Sequence, residues 1–440
     1  MAAPLSHDST ILIVGAGTWG CSTALHLARR GYKRVTVLDP YPVPSPISAG
    51  NDINKILELD SSGGEDEEER YVSNRLMEAT TEAWLNDPIF KPYYRDTGCI
   101  VSATTEPGRK FMNAGDGPSE ASGWVKLENK DQFRATMPQG VLTGDFPGWQ
   151  GWWKKTGAGW VHARKSMESA AKEAERLGAE FITGETKGQV KTLIYEDSDV
   201  KGARTVDGQE HRADRTILCA GANAASIFDM QDQLRPTAWT LAHIKMTAEE
   251  VKLYKDLPVL FNIERGFFME PDEDNQELKI CDEHPGYCNW TSDPQNSKRT
   301  SVPFANHQIP KEAEIRVRGF LHETMPHLAD RPLTFARICW CADTPNRAFL
   351  ISQHPNYASL ILGVGGSGHG FVYIPAIGGF IADAMEDCLD KKMKNHFRWR
   401  PETAVNRQWD ALQDRFGPDG SNRVMDLQDI SEWTDIPSRL

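Results

Sequence analysis

Residues 11–20 read ILIVGAGTWG, and this stretch decides the architecture. Residues 11–14 are wholly apolar, as in a strand buried on both faces of a parallel sheet. Gly15-Ala16-Gly17-Thr18-Trp19-Gly20 then matches G-x-G-x-x-G. The first glycine permits a tight turn after the strand, the second lets the backbone approach a pyrophosphate, and the third lets helix and strand pack closely. Residues 21–30 continue as a helix with Ala24, Leu25, Leu27 and Ala28 facing inward and Gly31 as its stop. The N-terminus of such a helix offers N–H groups and partial positive charge to phosphate. Residues 35–38 (VTVL) give the next strand, closed by Asp39, whose carboxylate can hold ribose hydroxyls. This is a dinucleotide-binding βαβ opening, and by itself it does not choose between FAD and NAD.

Further along, residues 60–70 (DSSGGEDEEER) read as a solvated acidic loop leading into a helix. Residues 167–187 read as a helix stopped by Gly188, with AEFIT as the associated strand, and 215–221 (RTILCAG) as a buried strand ending in glycine. The segment 230–330 differs: alternating runs such as 259–263 (VLFNI) and 266–270 (GFFME), separated by polar turns, suit an antiparallel sheet. Residues 359–364 (SLILGV) return to the buried-strand pattern, and 376–388 read as an amphipathic helix. Nucleotide-type segments thus flank strand-rich ones. The expected fold is a discontinuous α/β Rossmann-type domain (1–86, 153–232 and 334–440, the last with a C-terminal extension) plus an α+β substrate domain (87–152 and 233–333) built on a large, mainly antiparallel sheet.

The 440 residues exceed the size at which one core stops growing. A net charge of −13 argues against a nucleic-acid partner, and no apolar run is long enough for a membrane helix. The N-terminus lacks the pattern of a signal peptide. Eight scattered cysteines do not resemble a disulfide framework, so mostly free thiols in a reducing compartment are expected. Ser438-Arg439-Leu440 looks like a variant of the peroxisomal address SKL, which leaves a peroxisomal or a cytoplasmic location.

Two later clusters bear on chemistry. Gly363, Gly365, Gly366, Gly368 and Gly370 follow a buried strand and can bring backbone N–H groups to the far end of an extended cofactor; a purely structural turn is the alternative. Cys219-Ala220-Gly221-Ala222 ends its strand in the manner of FAD-binding oxidoreductases. Cys339-Trp340-Cys341 reads as two buried cysteines or as metal ligands, and a metal would need more thiols or histidines at ligand spacing than Cys281 and His284 supply, so none is expected.

Six stretches together resemble the fungal fructosyl amino acid oxidases (amadoriases), which are similar to sarcosine oxidases and the wider D-amino-acid-oxidase-like flavoenzymes. They are 11–55, 235–244 (RPTAWTLAHI), 260–273 (LFNIERGFFMEPDE), 279–287 (KICDEHPGY), 335–344 (FARICWCADT) and 365–371 (GGSGHGF), so the resemblance spans nearly the whole chain. It implies FAD-dependent deglycation of fructosyl amino acids, with O2 as acceptor and hydrogen peroxide as product; a monomer is expected. It implies a covalent bond from Cys339 to the flavin 8α-methyl group, a role for Lys55 near flavin N5, Glu283 and Arg415 on the amine and sugar, and Trp239 bordering the entry. Ser48 and Asn51, in the same stretch as Lys55, and Gly221, Gly366, Gly368, His369 and Gly370 are then expected around the cofactor with Gly15, Gly17, Thr18, Trp19, Gly20 and Asp39. One position departs: Val372 stands where the resemblance implies a lysine that anchors the substrate carboxylate, which points toward substrates such as ε-fructosyl lysine. A sarcosine-type secondary amine oxidase and a flavin-binding protein without turnover are the alternatives.

Overall fold

The structure is a computed structural model, and it describes residues 4–59, 63–64, 66–114, 117–292, 299–407 and 423–437. The opening forms as its pattern dictates: β1 (Thr10–Val14), α1 (Thr18–Arg29) and β2 (Arg34–Asp39), with β1 and β2 parallel and Ile11 opposite Val35. On β1, Ile11 and Ile13 face the core under α1, while Leu12 and Val14 face a second core beneath the three-stranded sheet of Val190–Glu196, Asp199–Thr205 and Glu210–Arg212. Both faces of β1 are therefore covered, which is why residues 11–14 are apolar at every position.

Four further strands complete a six-stranded sheet: Glu180–Thr183 beside β2, then Arg215–Leu218, Tyr357–Val364 and the antiparallel edge strand Leu350–His354 beyond β1. The helix expected over 167–187 is shorter and earlier, Ala163–Arg176. Gly178, at φ +106°, ends it, not Gly188, and the next strand pairs at once with β2. The last helix is Ile377–Met385, and the acidic stretch leads into Glu67–Asn86, with Asp66 accepting the Glu69 N–H as N-cap.

A ten-stranded, mainly antiparallel sheet takes its strands from residues 99–154, 235–288, 333–343 and 425–426. At its centre Arg235–Lys245 lies between Glu277–Asp282 and Leu333–Asp343. Leu333–Asp343, which the sequence placed with the nucleotide-type segments, pairs along its length in this sheet. A short strand, β3 (Asn54–Glu58), crosses between the two sheets and pairs with Ala158–His162. All eight cysteines are free thiols. Among the described residues no helix is long and apolar enough to cross a membrane.

Candidate active site

The glycine turn is shaped to receive a phosphate-bearing ligand. Gly15 holds φ +102°, and a Cβ there would meet the Cys219 carbonyl oxygen at 2.7 Å. A Cβ on Gly20 would lie 1.8 Å from the Gly15 oxygen. Gly17 is different: its nearest neighbour would be the Ser48 Oγ at 3.6 Å, so the backbone lies open there to an incoming group. No side chain caps α1 and none of its first-turn residues is acidic, so its N-terminal donors face no competing carboxylate. Asp39 is buried; its Oδ2 accepts the Ala16 N–H at 2.8 Å and its Oδ1 the Tyr41 N–H at 2.9 Å. Burial pushes its pKa up against the pull of those two bonds, and each oxygen keeps capacity for a hydroxyl donor.

The late glycine cluster comes to the same helix. Trp19 Nε1 donates to the Gly370 carbonyl at 3.0 Å, and a Cβ on Gly370 would press within 2.8 Å of Gly366 Cα. Gly368 turns at φ +81°, and the His369 ring stacks on Phe349 at 5.0 Å. Gly221, at φ +54°, opens the turn that follows Arg215–Leu218.

Residues 45–52 bridge the turn and the ten-stranded sheet. A Cβ on Gly50 would lie 2.3 Å from both Thr18 Oγ1 and Met167 Sδ, so this loop lies tight on the start of α1. Asn51 Nδ2 donates to the Ser45 carbonyl, and Arg164 Nε donates to Asn51 Oδ1. At the loop's other side, the buried Arg337 guanidinium donates to the carbonyls of Ser48 (3.0 Å), Asn51 (2.8 Å) and Pro46 (3.4 Å).

Residues directly opposite each other on neighbouring strands share a sheet face. One face of the central strands carries Ala242, Ile244, Leu278, Ile280 and Ala336, packed in a core with the helix Lys311–Thr324. The other face carries Trp239 opposite Cys339, Leu241 between Cys281 and Arg337, and His243 between Lys279 and Phe335. Over it comes Lys55 from β3. Lys55 Nζ and Lys279 Nζ each lie 2.7 Å from Asp52 Oδ2, and Lys279 also donates to the Asn54 carbonyl at 2.9 Å. Burial would raise the Asp52 carboxyl, but Lys279, Lys55 and Arg337 outweigh it and hold it far below the usual carboxylate range. Burial would lower Lys55, and the adjoining Asp52 carboxylate more than reverses that, so its ammonium persists above the ordinary lysine range. Cys339 packs with Leu241, Cys281 and Ala49. Cys341 faces the same side two positions on, opposite Thr237 and farther from that cluster.

Glu283 is buried directly after the strand Glu277–Asp282. The residue before it, Asp282, is held by Arg316 Nε at 2.9 Å and by Thr240 Oγ1. Trp239 Nε1 donates to the His284 carbonyl at 3.0 Å, and Trp239 is 8% exposed. Val372 packs against the core beneath α1, and its carbonyl accepts Trp84 Nε1 at 2.8 Å. Arg415 and Ser438-Arg439-Leu440 lie outside the described residues. Cys281 and His284 are not brought together as ligands, because the His284 ring turns to Thr240 and the Gly286 N–H. Asp383, Glu386 and Cys388 cluster elsewhere at the surface, where Arg30 already pairs with both carboxylates.

Asp52, Lys279 and Arg337 escaped the sequence reading, although Asp52 sits three residues before Lys55 and Lys279, Cys281 and Glu283 recur at the strand period of two. The profile of the FAD dependent oxidoreductases matches residues 10–384. The chain belongs to that family. This FAD-dependent oxidoreductase is 60% identical to the fructosyl amine:oxygen oxidoreductase (Amadoriase I) of Aspergillus fumigatus, with 99% of each chain covered and a TM-score of 0.95. It is 55% identical to the deglycating fructosamine oxidase (Amadoriase II) of the same organism, again with 99% of each chain covered and a TM-score of 0.95. The L-saccharopine oxidase of Schizosaccharomyces pombe is more distant, 29% identical over 92% of this chain and 96% of its own. The oxidoreductase's open glycine turn, its uncapped helix and its buried Asp39 fit the FAD that the family binds.

Proposed function

We propose that this chain is an oxidase of fructosyl amino acids, releasing glucosone, the free amino acid and hydrogen peroxide, with FAD bonded covalently to Cys339. The observation that carries the reading is the identity of 55–60% to fructosyl amine oxidases over 99% of both chains; it is supported by the closeness of Lys55 to Cys339 and of both Lys55 and Glu283 to Cys281. When bound, FAD accepts a hydride equivalent from the substrate carbon next to nitrogen and passes two electrons to O2.

The chain's own residues do the rest. The Gly15–Gly20 turn and Asp39 hold the nucleotide end. Glu283, desolvated and beside the face that carries Cys281, engages the substrate amine and sugar hydroxyls. Trp239 walls that space against water. Lys55 Nζ keeps its proton because Asp52 sits against it, so a fixed positive charge faces the site when oxygen becomes anionic. Arg415 adds a fork of donors for sugar oxygens. With Val372 in place of a lysine, a carboxylate adjoining the reacting nitrogen finds no cation at that position, which favours ε-fructosyl lysine over α-fructosyl glycine. Peroxide release on the two substrates and on sarcosine tests this: the ε-adduct should turn over fastest, and a preference for fructosyl glycine or for sarcosine contradicts it. In Lys55→Met, reoxidation should slow far more than reduction; equal slowing of both half-reactions would remove Lys55 from its role.

A further inference from the structure

Arg337 carries a buried, permanent charge at 3% exposure, and no carboxylate makes a hydrogen bond to it among the described residues. A guanidinium in such a place costs desolvation unless its donors are used. They are used on three backbone carbonyls of one loop, those of Pro46, Ser48 and Asn51. That loop touches the start of α1 at Gly50 and packs Ala49 into the cluster of Leu241, Cys281 and Cys339. Arg337 and Cys339 lie on the same strand and the same face, two positions apart. One side chain thus sets the distance between the loop beside the nucleotide turn and the strand that offers the thiol.

We infer that Arg337 is a positioning residue for covalent attachment of the flavin, acting as a clamp between loop 45–52 and Cys339; the inference rests on the proposed Cys339 bond. Attachment replaces the thiol S–H and one methyl C–H by a C–S bond, and the two electrons and two protons released reduce O2 to hydrogen peroxide. That step needs sulfur and carbon held within near-attack range, where a misplacement of about 1 Å costs on the order of 10²-fold in rate. Retention of FAD rests chiefly on the Gly15–Gly20 turn and Asp39, to which Arg337 makes no hydrogen bond. Loosening the clamp should therefore separate tethering from binding.

The test compares purified holoenzymes of the wild type, Arg337→Met, Arg337→Lys and Cys339→Ala at equal total flavin, by acid precipitation and by flavin fluorescence in denaturing gels. The wild type should keep its flavin with the protein and Cys339→Ala should release it. Arg337→Met and Arg337→Lys should bind FAD yet keep about a tenth or less of the wild-type covalent fraction, as the loss in rate predicts. Lysine preserves the charge without the fork, so it also serves where the methionine variant does not fold. Wild-type tethering in either Arg337 variant overturns the clamp. Covalent flavin in Cys339→Ala would overturn the underlying Cys339 assignment instead.

Discussion

Asp52 is the residue on which the reactive face turns, because two ammonium groups share one of its oxygens. Removing one partner of a buried ion cluster leaves uncompensated charge, typically about 3–5 kcal/mol. Asp52→Asn should therefore lower the melting temperature markedly and move the Lys55 proton toward loss at high pH; unchanged stability would mean the lysines hold their places by other means. Glu270 gives a second residue-scale prediction. Burial pushes its carboxyl up to about 7, against the Asp256 N–H it accepts. The folded state then holds a proton that the unfolded chain has given up, so stability falls as pH rises from about 4.3 through 7. Glu270→Gln should gain on the wild type in thermal melts between pH 5 and pH 8 and be level with it at pH 4; a constant difference would show that Glu270 does not titrate there. Lys55 and Cys339 were singled out through the distinctive strings that hold them; Arg337 sits in the same string as Cys339 but acts through backbone carbonyls, which leave no mark in the sequence.

The glycine turn and the central strands carry the next level. Gly17 has open space where Gly15 and Gly20 have none. Gly17→Ala should therefore fold with normal secondary structure and lose flavin, while Gly20→Ala should fail to fold, since its Cβ would overlap the Gly15 carbonyl. Flavin content and circular dichroism of the two variants separate these outcomes, and full flavin retention in Gly17→Ala would show that the pyrophosphate lies elsewhere. The βαβ opening could be read because its strand, turn and helix are contiguous. The boundary of Ala163–Arg176 could not, because Gly178 and Gly188 both offer a stop and only the pairing of Glu180–Thr183 with β2 chooses between them. The placement of Leu333–Asp343 was likewise decided by partners about a hundred residues away.

At the scale of the molecule, loop 45–52 joins the two sheets: it touches the start of α1 at Gly50, and its carbonyls take the Arg337 guanidinium from the antiparallel sheet. The outline of this arrangement was legible as a change of pattern, fully apolar strands on either side of alternating ones. The grouping of Lys55, Cys339 and the segment from Lys279 to Glu283 was not, since they come from three different strands, Asn54–Glu58, Leu333–Asp343 and Glu277–Asp282, and meet only through tertiary packing. The proposed reaction is oxidation of fructosyl amino acids at the FAD. Anaerobic mixing of the enzyme with ε-fructosyl lysine, followed at the flavin absorbance, tests it directly. Rapid bleaching should follow, returning to yellow on admission of O2 with one equivalent of hydrogen peroxide; a flavin that stays yellow with fructosyl amino acids but bleaches with sarcosine, or with no amine at all, would contradict this function.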